Sequence, residues 1–332
     1  MDTIELIVPC YNEEECIKLF YDRICTVFSS DRLKDYDFTI TYVDDGSKDA
    51  TMDEIKKTVS AHEESLSSGK IGKGRIQYIS LSRNFGKEAA MYAGLKKASG
   101  DYICVLDADL QHPPELIEEM LDAIEKEGYD CASARRVSRH GEPFFRKLFS
   151  KLYFGILNKL TGMDLVQGGT DFRLMKRKVA ESIASMPESQ RFTKGIYSWI
   201  GYKNKWIEYK DVERVAGNTT WNFKGLMNYG LNGFIAFATT PLRGVVYFGM
   251  LVVFLAIAFA VYTFITSLYS PKGSGYATLL IVMLLLGGVI ITILGMIGEY
   301  MARIYMEVKN RPICFTRETN IKEPEEKDEN RQ

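Results

Sequence analysis

Residues 103–116 read "ICVLDADLQHPPEL". A buried strand, Tyr102–Leu106, ends here; Asp107 and Asp109 follow one residue apart, Gln111 comes two positions later, and Pro113 and Pro114 announce a helix. Two carboxylates this close repel each other unless a cation sits between them. Taken alone, the stretch also reads as an exposed acidic turn or a helix cap, because aspartate favours helix starts. The choice between these readings depends on what the rest of the chain brings to the same place.

Upstream, residues 4–8 (Ile-Glu-Leu-Ile-Val), residues 38–43 (Phe-Thr-Ile-Thr-Tyr-Val) and Ile76–Leu81 have strand character, each followed by a polar loop and a helical segment. A stretch rich in serine and glycine, "SLSSGKIGKG" at 65–74, precedes the third strand, and a helix begins near Lys87. Alternating strands and helices predict an α/β fold with a mostly parallel sheet and helices on both faces. Ligands of such sheets collect at the carboxyl ends of the strands. "PCYNEEE", "DDGSKDAT", "SRNFGKE" and "DADLQH" fall at four consecutive strand ends, which points to one composite site.

The chain has 332 residues, room for one large domain or two smaller ones. Its 42 Lys+Arg balance 43 Asp+Glu, which argues against a nucleic-acid binder. The average conceals a gradient: Gly244–Pro271 and Gly273–Gly298 contain no charged residue. Each run exceeds the ~20 apolar residues that cross a bilayer, so two membrane spans are predicted. "MDTIELIVPCYNEEE" reads as a strand and lacks the features of a signal peptide, which predicts a cytosolic body. Arg243 before the first span and Arg303, Lys309 and Arg311 after the second, against Lys272 alone between them, put both ends in the cytosol. Six cysteines (Cys10, Cys16, Cys25, Cys104, Cys131, Cys314) lack CxxC spacing and read as reduced thiols. The charged segment after Phe315 is expected to be disordered.

The order "VPCYNEEE", "VDDGSKDAT", "LSRNFGKEAAMYAGLKKASGDY", "DADLQHP", "GGTDFRLMKRKV", "RFTKG", followed by two spans, resembles the family-2 glycosyltransferases. Among them it most resembles the polyprenyl-phosphate sugar transferases, relatives of dolichyl-phosphate mannose synthase and the bactoprenol glucosyltransferases. The resemblance implies a GT-A type nucleotide-binding sheet in a cytosolic catalytic domain (1–221) and an amphipathic interfacial helix (222–242). A two-helix transmembrane hairpin (243–304) and a cytosolic, largely disordered tail (305–332) would follow. It implies an inverting enzyme that moves one sugar from a nucleotide-sugar to polyprenyl phosphate for cell-envelope glycosylation. UDP-glucose is the first-choice donor; N-acetylglucosamine, galactose and mannose stay open. Asp107, Asp109 and Gln111 would hold Mg2+ or Mn2+ against the diphosphate, an all-oxygen set suited to a hard ion.

By the same resemblance Pro9, Tyr11, Glu13, Asp45, Lys87, Asp107, Ala108 and Arg214 line the nucleotide-sugar site, with Tyr11 against the base and Asp45 bonded to base or ribose. For "DDGSKDAT" a turn and helix cap is the competing use; for Tyr11 it is core packing. Asp171 would orient sugar or acceptor, and an ion pair with Arg173 is its competing use. A general-base role is less apt, because a phosphate acceptor, with a second pKa of about 6, is already ionised at neutral pH. Asp109, Asp171 and Arg135 thus form the expected catalytic group.

An anionic acceptor needs cations. Arg135, Arg136, Arg139, Arg146, Lys147 and Lys151 face one acid, Glu142, between 135 and 151. By the resemblance to the dolichyl-phosphate enzymes Arg135 and Arg146, with Lys147 beside them, are the expected lipid-phosphate ligands, arginine's planar fork suiting phosphate oxygens. Phe144, Phe145, Leu148, Phe149 and Leu152 recur at helical spacing beside them, as in a helix lying on a membrane or packed on the sheet. Phe223, Leu226, Met227, Gly230, Leu231, Phe234 and Ile235 predict a second amphipathic helix. Two positions depart from the family: Thr219-Thr220-Trp221 stands where relatives often have Ser-Lys-Trp, with Lys224 a candidate substitute, and Asn232 stands where they often have aspartate.

Two other readings remain at this point. A processive polysaccharide synthase shares the fold, yet "QRFTKG" lacks its Gln-x-x-Arg-Trp motif and two spans do not enclose a channel. An inactive membrane scaffold is opposed by the intact Asp107, Asp109 and Arg135. Gly287, Gly288 and Gly295 admit close helix contact and a homo-oligomer. The resemblance also implies a flippase and a downstream transferase as partners.

Overall fold

A computed structural model describes residues 1–69, 73–137, 155, 158, 159, 166–189, 191–210, 240–269 and 275–322. In chain order the elements are β1 (Thr3–Cys10), α1 (Ile17–Val27), β2 (Asp37–Asp44), α2 (Thr51–Ser67), β3 (Arg75–Leu81), α3 (Lys87–Lys97), β4 (Tyr102–Val105) and α4 (Leu116–Glu125). There follow β5 (Cys131–Arg136), β6 (Gly169–Lys176), α5 (Arg177–Ala184), α6 (Thr193–Trp199), β7 (Asn204–Tyr209), α7 (Thr240–Tyr269), α8 (Tyr276–Val308) and β8 (Thr316–Thr319).

One eight-stranded sheet runs in the order β7-β5-β6-β4-β1-β2-β3-β8. The expected parallel unit occupies its middle, where β4, β1, β2 and β3 are parallel neighbours. Beyond it the sheet is mixed: β6 is antiparallel to both β4 and β5, β5 and β7 are parallel, and β8 is antiparallel to β3. "Mostly parallel" therefore describes the middle of the sheet and not its flanks.

The sheet is buried on both faces because its strands alternate. Ile4, Leu6 and Val8 of β1 pack with Phe20 and Ile24 of α1, Ile55 of α2 and Met120 and Leu121 of α4. Ile7, between them in sequence, packs on the other face with Met91 and Leu95 of α3, Val179 of α5 and Ile196 of α6. Helix α3 lies so close to β1 that a Cβ at Gly94 would collide with Ile7. Glu5 shares this face and is buried, so its carboxylate needs partners. It accepts from the Thr41 hydroxyl at 2.8 Å and from the Ser99 and Gly100 amides at 2.7 and 3.0 Å, anchoring the turn that enters β4.

Helices α7 and α8 have 30 and 33 residues. At 1.5 Å per residue they span about 45 and 50 Å, enough for a hydrocarbon core of about 30 Å. Gly244–Thr263 and Leu285–Val308 are apolar enough to cross a membrane, and Phe254 and Ile291 are among many large side chains on them that no protein covers. Membrane association is the state that hides such surface. Helix α8 continues beyond the uncharged run and carries Glu299, Arg303 and Glu307 in its last turns.

One expectation fails. The start of the tail is ordered: Thr316–Thr319 forms β8 against the edge of β3. Its charged composition gave no strand signal, and pairing satisfies the otherwise open edge of β3. The expected basic helix near 144–152 and the interfacial helix of 222–239 lie outside the described residues, as does the last stretch of the tail, 323–332.

Candidate active site

The loops after β1 and β2 clasp each other through backbone and side-chain bonds. Asn12 N–H donates to Ser47 Oγ at 2.9 Å while Asn12 Oδ1 accepts from Lys48 N–H at 2.9 Å. Glu13 N–H donates to Thr51 Oγ1 at 2.8 Å, and Glu14 accepts from Ala50 N–H at 2.8 Å. Asn12 takes φ 54° to make this turn, a value asparagine tolerates. Pro9, next to last in β1, is half-buried, and Tyr11 is 37% exposed, so core packing is not its use. Gly46 has φ 67°, and a Cβ there would strike the backbone of Arg83, so the loops after β2 and β3 touch through glycine.

Asp45, expected to bond base or ribose, is tied into the protein's own loops. It is buried, and its two oxygens accept from Phe85 N–H at 2.7 Å and Gly86 N–H at 2.8 Å. Its carboxylate shapes the loop before α3. Burial pushes its pKa up, and the two amides only partly oppose this. Neighbouring Asp44 is used the same way, taking the Ser47 amide at 3.0 Å and the Ser80 hydroxyl at 3.0 Å.

The loop held by Asp45 delivers Lys87, the first residue of α3. Its ammonium lies 2.7 Å from Asp107 Oδ1 and 3.0 Å from Asp171 Oδ2. Asp171 reaches this point because β6 runs antiparallel to β4: Val105 faces Arg173, and the same register carried two residues further sets Asp107 opposite Asp171. Burial alone would lower the Lys87 pKa, but Asp107 and Asp171 overcome it and hold it raised. Burial alone would likewise raise Asp171, yet Lys87 and then Lys194 hold it well below the usual carboxylate range. The other oxygen, Asp171 Oδ1, is buried without a hydrogen-bond partner. Arg173 is not the partner of Asp171; its guanidinium lies over the Tyr197 ring, 3.2 Å from the centroid.

Asp109 follows buried Ala108, and its Oδ1 accepts from Gln111 N–H at 3.1 Å across a turn in which Leu110 has φ 55°. Asp107, Asp109 and Gln111 offer only hard oxygen donors. Among the described residues no cluster of three His, Cys, Asp or Glu side chains forms a metal cage. The set therefore fits an ion that keeps water and substrate phosphates in its shell, and does not fit a closed structural site. Arg135, on β5 opposite Gly169 of β6, donates to the Gln167 carbonyl at 3.2 Å and pairs with Glu208 at 3.4 Å. Arg214, Arg146 and Lys147 lie outside the described residues.

Three contributors were quoted within motifs but given no role by sequence. His112 is buried, stacked on Phe172, with Nδ1 2.5 Å from the Tyr209 hydroxyl and Nε2 3.9 Å from Asp107 Oδ2. Burial lowers its pKa, more than Asp107 and Asp109 raise it, so the ring is neutral at pH 7. Lys194 donates to the Gly169 carbonyl at 3.2 Å beside Asp171. Glu88, next to Lys87, accepts from the Thr193 amide at 3.1 Å and from its hydroxyl, tying α3 to α6. The signals were the His of "DADLQH" and the Lys of "RFTKG"; their partners are distant in sequence.

The sheet thus gathers four polar loops around an acidic, lysine-bridged centre. Residues 5–184 match Glycosyl transferase family 2, and residues 240–304 match the GtrB C-terminal hairpin. CsbB of Bacillus subtilis (strain 168) is 39% identical over 319 residues, covering 96% of this chain and 92% of that protein. The bactoprenol glucosyl transferase of Shigella phage SfII and the prophage bactoprenol glucosyl transferase homolog of Escherichia coli (strain K12) are each 37% identical over 310 residues. Both alignments cover 93% of this chain and 96% of the relative. The chain belongs to glycosyltransferase family 2 and carries a GT-A-like fold with two apolar C-terminal helices.

Proposed function

We propose that the chain transfers glucose from UDP-glucose to undecaprenyl phosphate, inverting the anomeric centre and giving a polyprenyl-phosphate glucose for cell-envelope glycosylation. The observation that carries this reading is the Lys87–Asp107–Asp171 cluster at the strand ends of a chain that also has a membrane-length hairpin. The names of the phage and bacterial relatives support the same donor and acceptor. Residues 1–221 are the catalytic domain, 222–242 the interfacial helix, 243–304 the hairpin and 305–332 the tail. Both termini lie in the cytosol, as the flanking arginines and lysines favour.

Each residue has a physical task. Tyr11, Pro9 and Glu13 line the nucleotide side. Asp171 Oδ1, buried with free lone pairs, accepts a hydroxyl of the sugar and orients it. No general base is required, since the acceptor phosphate, with a second pKa of about 6, arrives ionised. Arg135, Arg146 and Lys147 receive that phosphate, and Arg214 approaches the diphosphate. As the anomeric carbon gains oxocarbenium character, charge leaves on the diphosphate, and the Lys87 ammonium stands at the acidic centre to meet it. Mg2+ or Mn2+ held by Asp107, Asp109 and Gln111 would supply Lewis acidity toward that leaving group. The lipid product must then cross the membrane and be consumed, which calls for a flippase and a second transferase.

The test offers a panel of nucleotide-sugars with undecaprenyl phosphate and identifies the lipid by mass spectrometry. UDP-glucose is expected to give a single hexosyl lipid. A different sugar on the lipid would change the donor assigned; a polymer, or no lipid product with any donor, would overturn the reaction.

A further inference from the structure

Strand β8 lies past both apolar helices, yet it completes the sheet of the catalytic domain. Thr319 faces Ile79, Glu318 faces Ser80 and Thr316 faces Leu81, so Arg317 is the additional residue of a bulge. The bulge re-aims its side chain: the Arg317 guanidinium donates to the Ser82 carbonyl at 2.8 Å. Ser82 N–H in turn donates to the Phe315 carbonyl at 2.8 Å. Both backbone polar groups of Ser82 are thus bonded to the tail. Further down, Asn320 accepts from Tyr78 N–H at 2.8 Å and donates to the Ile76 carbonyl at 3.3 Å, and Glu318 pairs with Lys56 at 2.7 Å. The Phe315 ring lies 6.4 Å from that of Phe85.

Ser82 opens the loop whose other end, Phe85 and Gly86, is held by Asp45. Lys87 follows directly. The tail and Asp45 therefore grip the two ends of the segment that sets where the Lys87 ammonium falls. A second link runs from the end of α8: Glu307 accepts from the Ser189 amide at 2.9 Å and from its hydroxyl at 2.7 Å. Four residues on, Thr193 bonds Glu88, the neighbour of Lys87. The C-terminal end of the hairpin thus reaches the start of α3 from both flanks. Covering an open sheet edge would need only backbone pairing. The bulge at Arg317 and the bidentate use of Asn320 go further, and the first is directed at the active-site loop.

We propose that β8 is a positioning element of the active site: a strand delivered from beyond the membrane hairpin fixes the Ser82–Gly86 loop and so holds Lys87 against Asp107 and Asp171. The proposal rests on the cluster being the site of transfer. A misplaced catalytic group costs up to about 10²-fold in rate, so small shifts of this loop matter.

The experiment uses the full-length chain in lipid nanodiscs, with Arg317→Ala, Arg317→Lys and Thr319→Pro. Hydrogen exchange is read at Ser82–Lys87 and, as an internal control, in α4; kcat and KM are read with UDP-glucose and undecaprenyl phosphate. Arg317→Ala and Thr319→Pro are expected to speed exchange at Ser82–Lys87 about tenfold with α4 unchanged. They should lower kcat by about 10- to 100-fold more than they alter KM, and Arg317→Lys, which keeps a donor, should retain most of both. Unchanged loop exchange in both disruptive variants overturns the proposal, as does exchange in α4 rising in step with the loop, which would mark a global loss of stability. A wild-type chain inactive toward these substrates would sink the reaction proposed above; the exchange comparison would still decide the role of the strand.

Discussion

Two aspartate pairs stand at strand ends in this protein, and the sequence presents them alike. Asp44 ends β2 and Asp45 follows it; Asp107 and Asp109 follow β4. The first pair is buried and its lone pairs go to backbone amides and a serine hydroxyl. The second is met by an ammonium group and stays partly open, Asp107 being 25% exposed. A carboxylate held by amides builds a loop; one held by a side-chain cation where solvent still reaches can exchange that cation for a ligand. The role of an aspartate is thus decided by what stands opposite it, and what stands opposite comes from elsewhere in the chain.

The sharpest way to break this contrast is to remove one carboxylate from each pair. Asp109→Ala is expected to lower turnover by about 10³-fold, the scale of losing a main electrostatic contact to a departing charge. The loss should fall on turnover, read by steady-state kinetics with the nucleotide-sugar and undecaprenyl phosphate. Turnover that survives would move the metal site away from this motif. Asp45→Ala should reverse the balance. It strands two amides, at about 1–3 kcal/mol for unsatisfied buried groups, so chemical denaturation should register a clear loss. A stability equal to wild type would show that the loop does not depend on Asp45.

Lys87→Met tests the cation itself. Asp107 and Asp171 would then face each other without it, and kcat is expected to fall about 10²-fold, with more effect on kcat than on KM for the donor. His112→Ala sharpens the accessible side of the comparison. Its ring faces Asp107 from a position fixed by Tyr209 and Phe172. Loss of such a supporting group weakens metal binding about 10- to 100-fold, so titration of Mn2+ by paramagnetic resonance should shift accordingly. An unshifted titration would leave His112 a packing residue only.

How much of this was legible beforehand divides along the same line. Local pattern carried the four strand-end motifs, the start of α3 at Lys87 and the two apolar runs, because each is a matter of period and composition within a short window. Register between distant strands is not encoded that way. That Asp171 would meet Lys87 depends on β6 lying antiparallel beside β4, and that Asp45 would be consumed by Phe85 and Gly86 depends on how two loops pack. Strand β8 escaped for a related reason: its four residues are charged or polar, and only the open edge of β3 makes them a strand.

The smallest effect concerns pH, and it bears on the Lys87–Asp171 contact. Asp171 is depressed in the folded protein, so its contribution is fully present above its unfolded pKa of about 4 and is lost as pH falls below that value. Lys87 is raised, so its contribution is present below its unfolded pKa of about 10.5 and is lost only as pH climbs through the higher folded value. In wild type neither group changes charge between these limits, but in Lys87→Met burial raises Asp171 with no ammonium to oppose it, so the stability difference should be flat only above that raised value. As pH falls through that raised value the carboxylates of the variant gain protons, their mutual repulsion ends, and the difference should narrow. Urea midpoints measured at intervals from about pH 3 to about pH 9 would read it. A difference that persists at the acid end would mean that Lys87 stabilises the fold through its hydrocarbon stem and not through the two carboxylates it bridges.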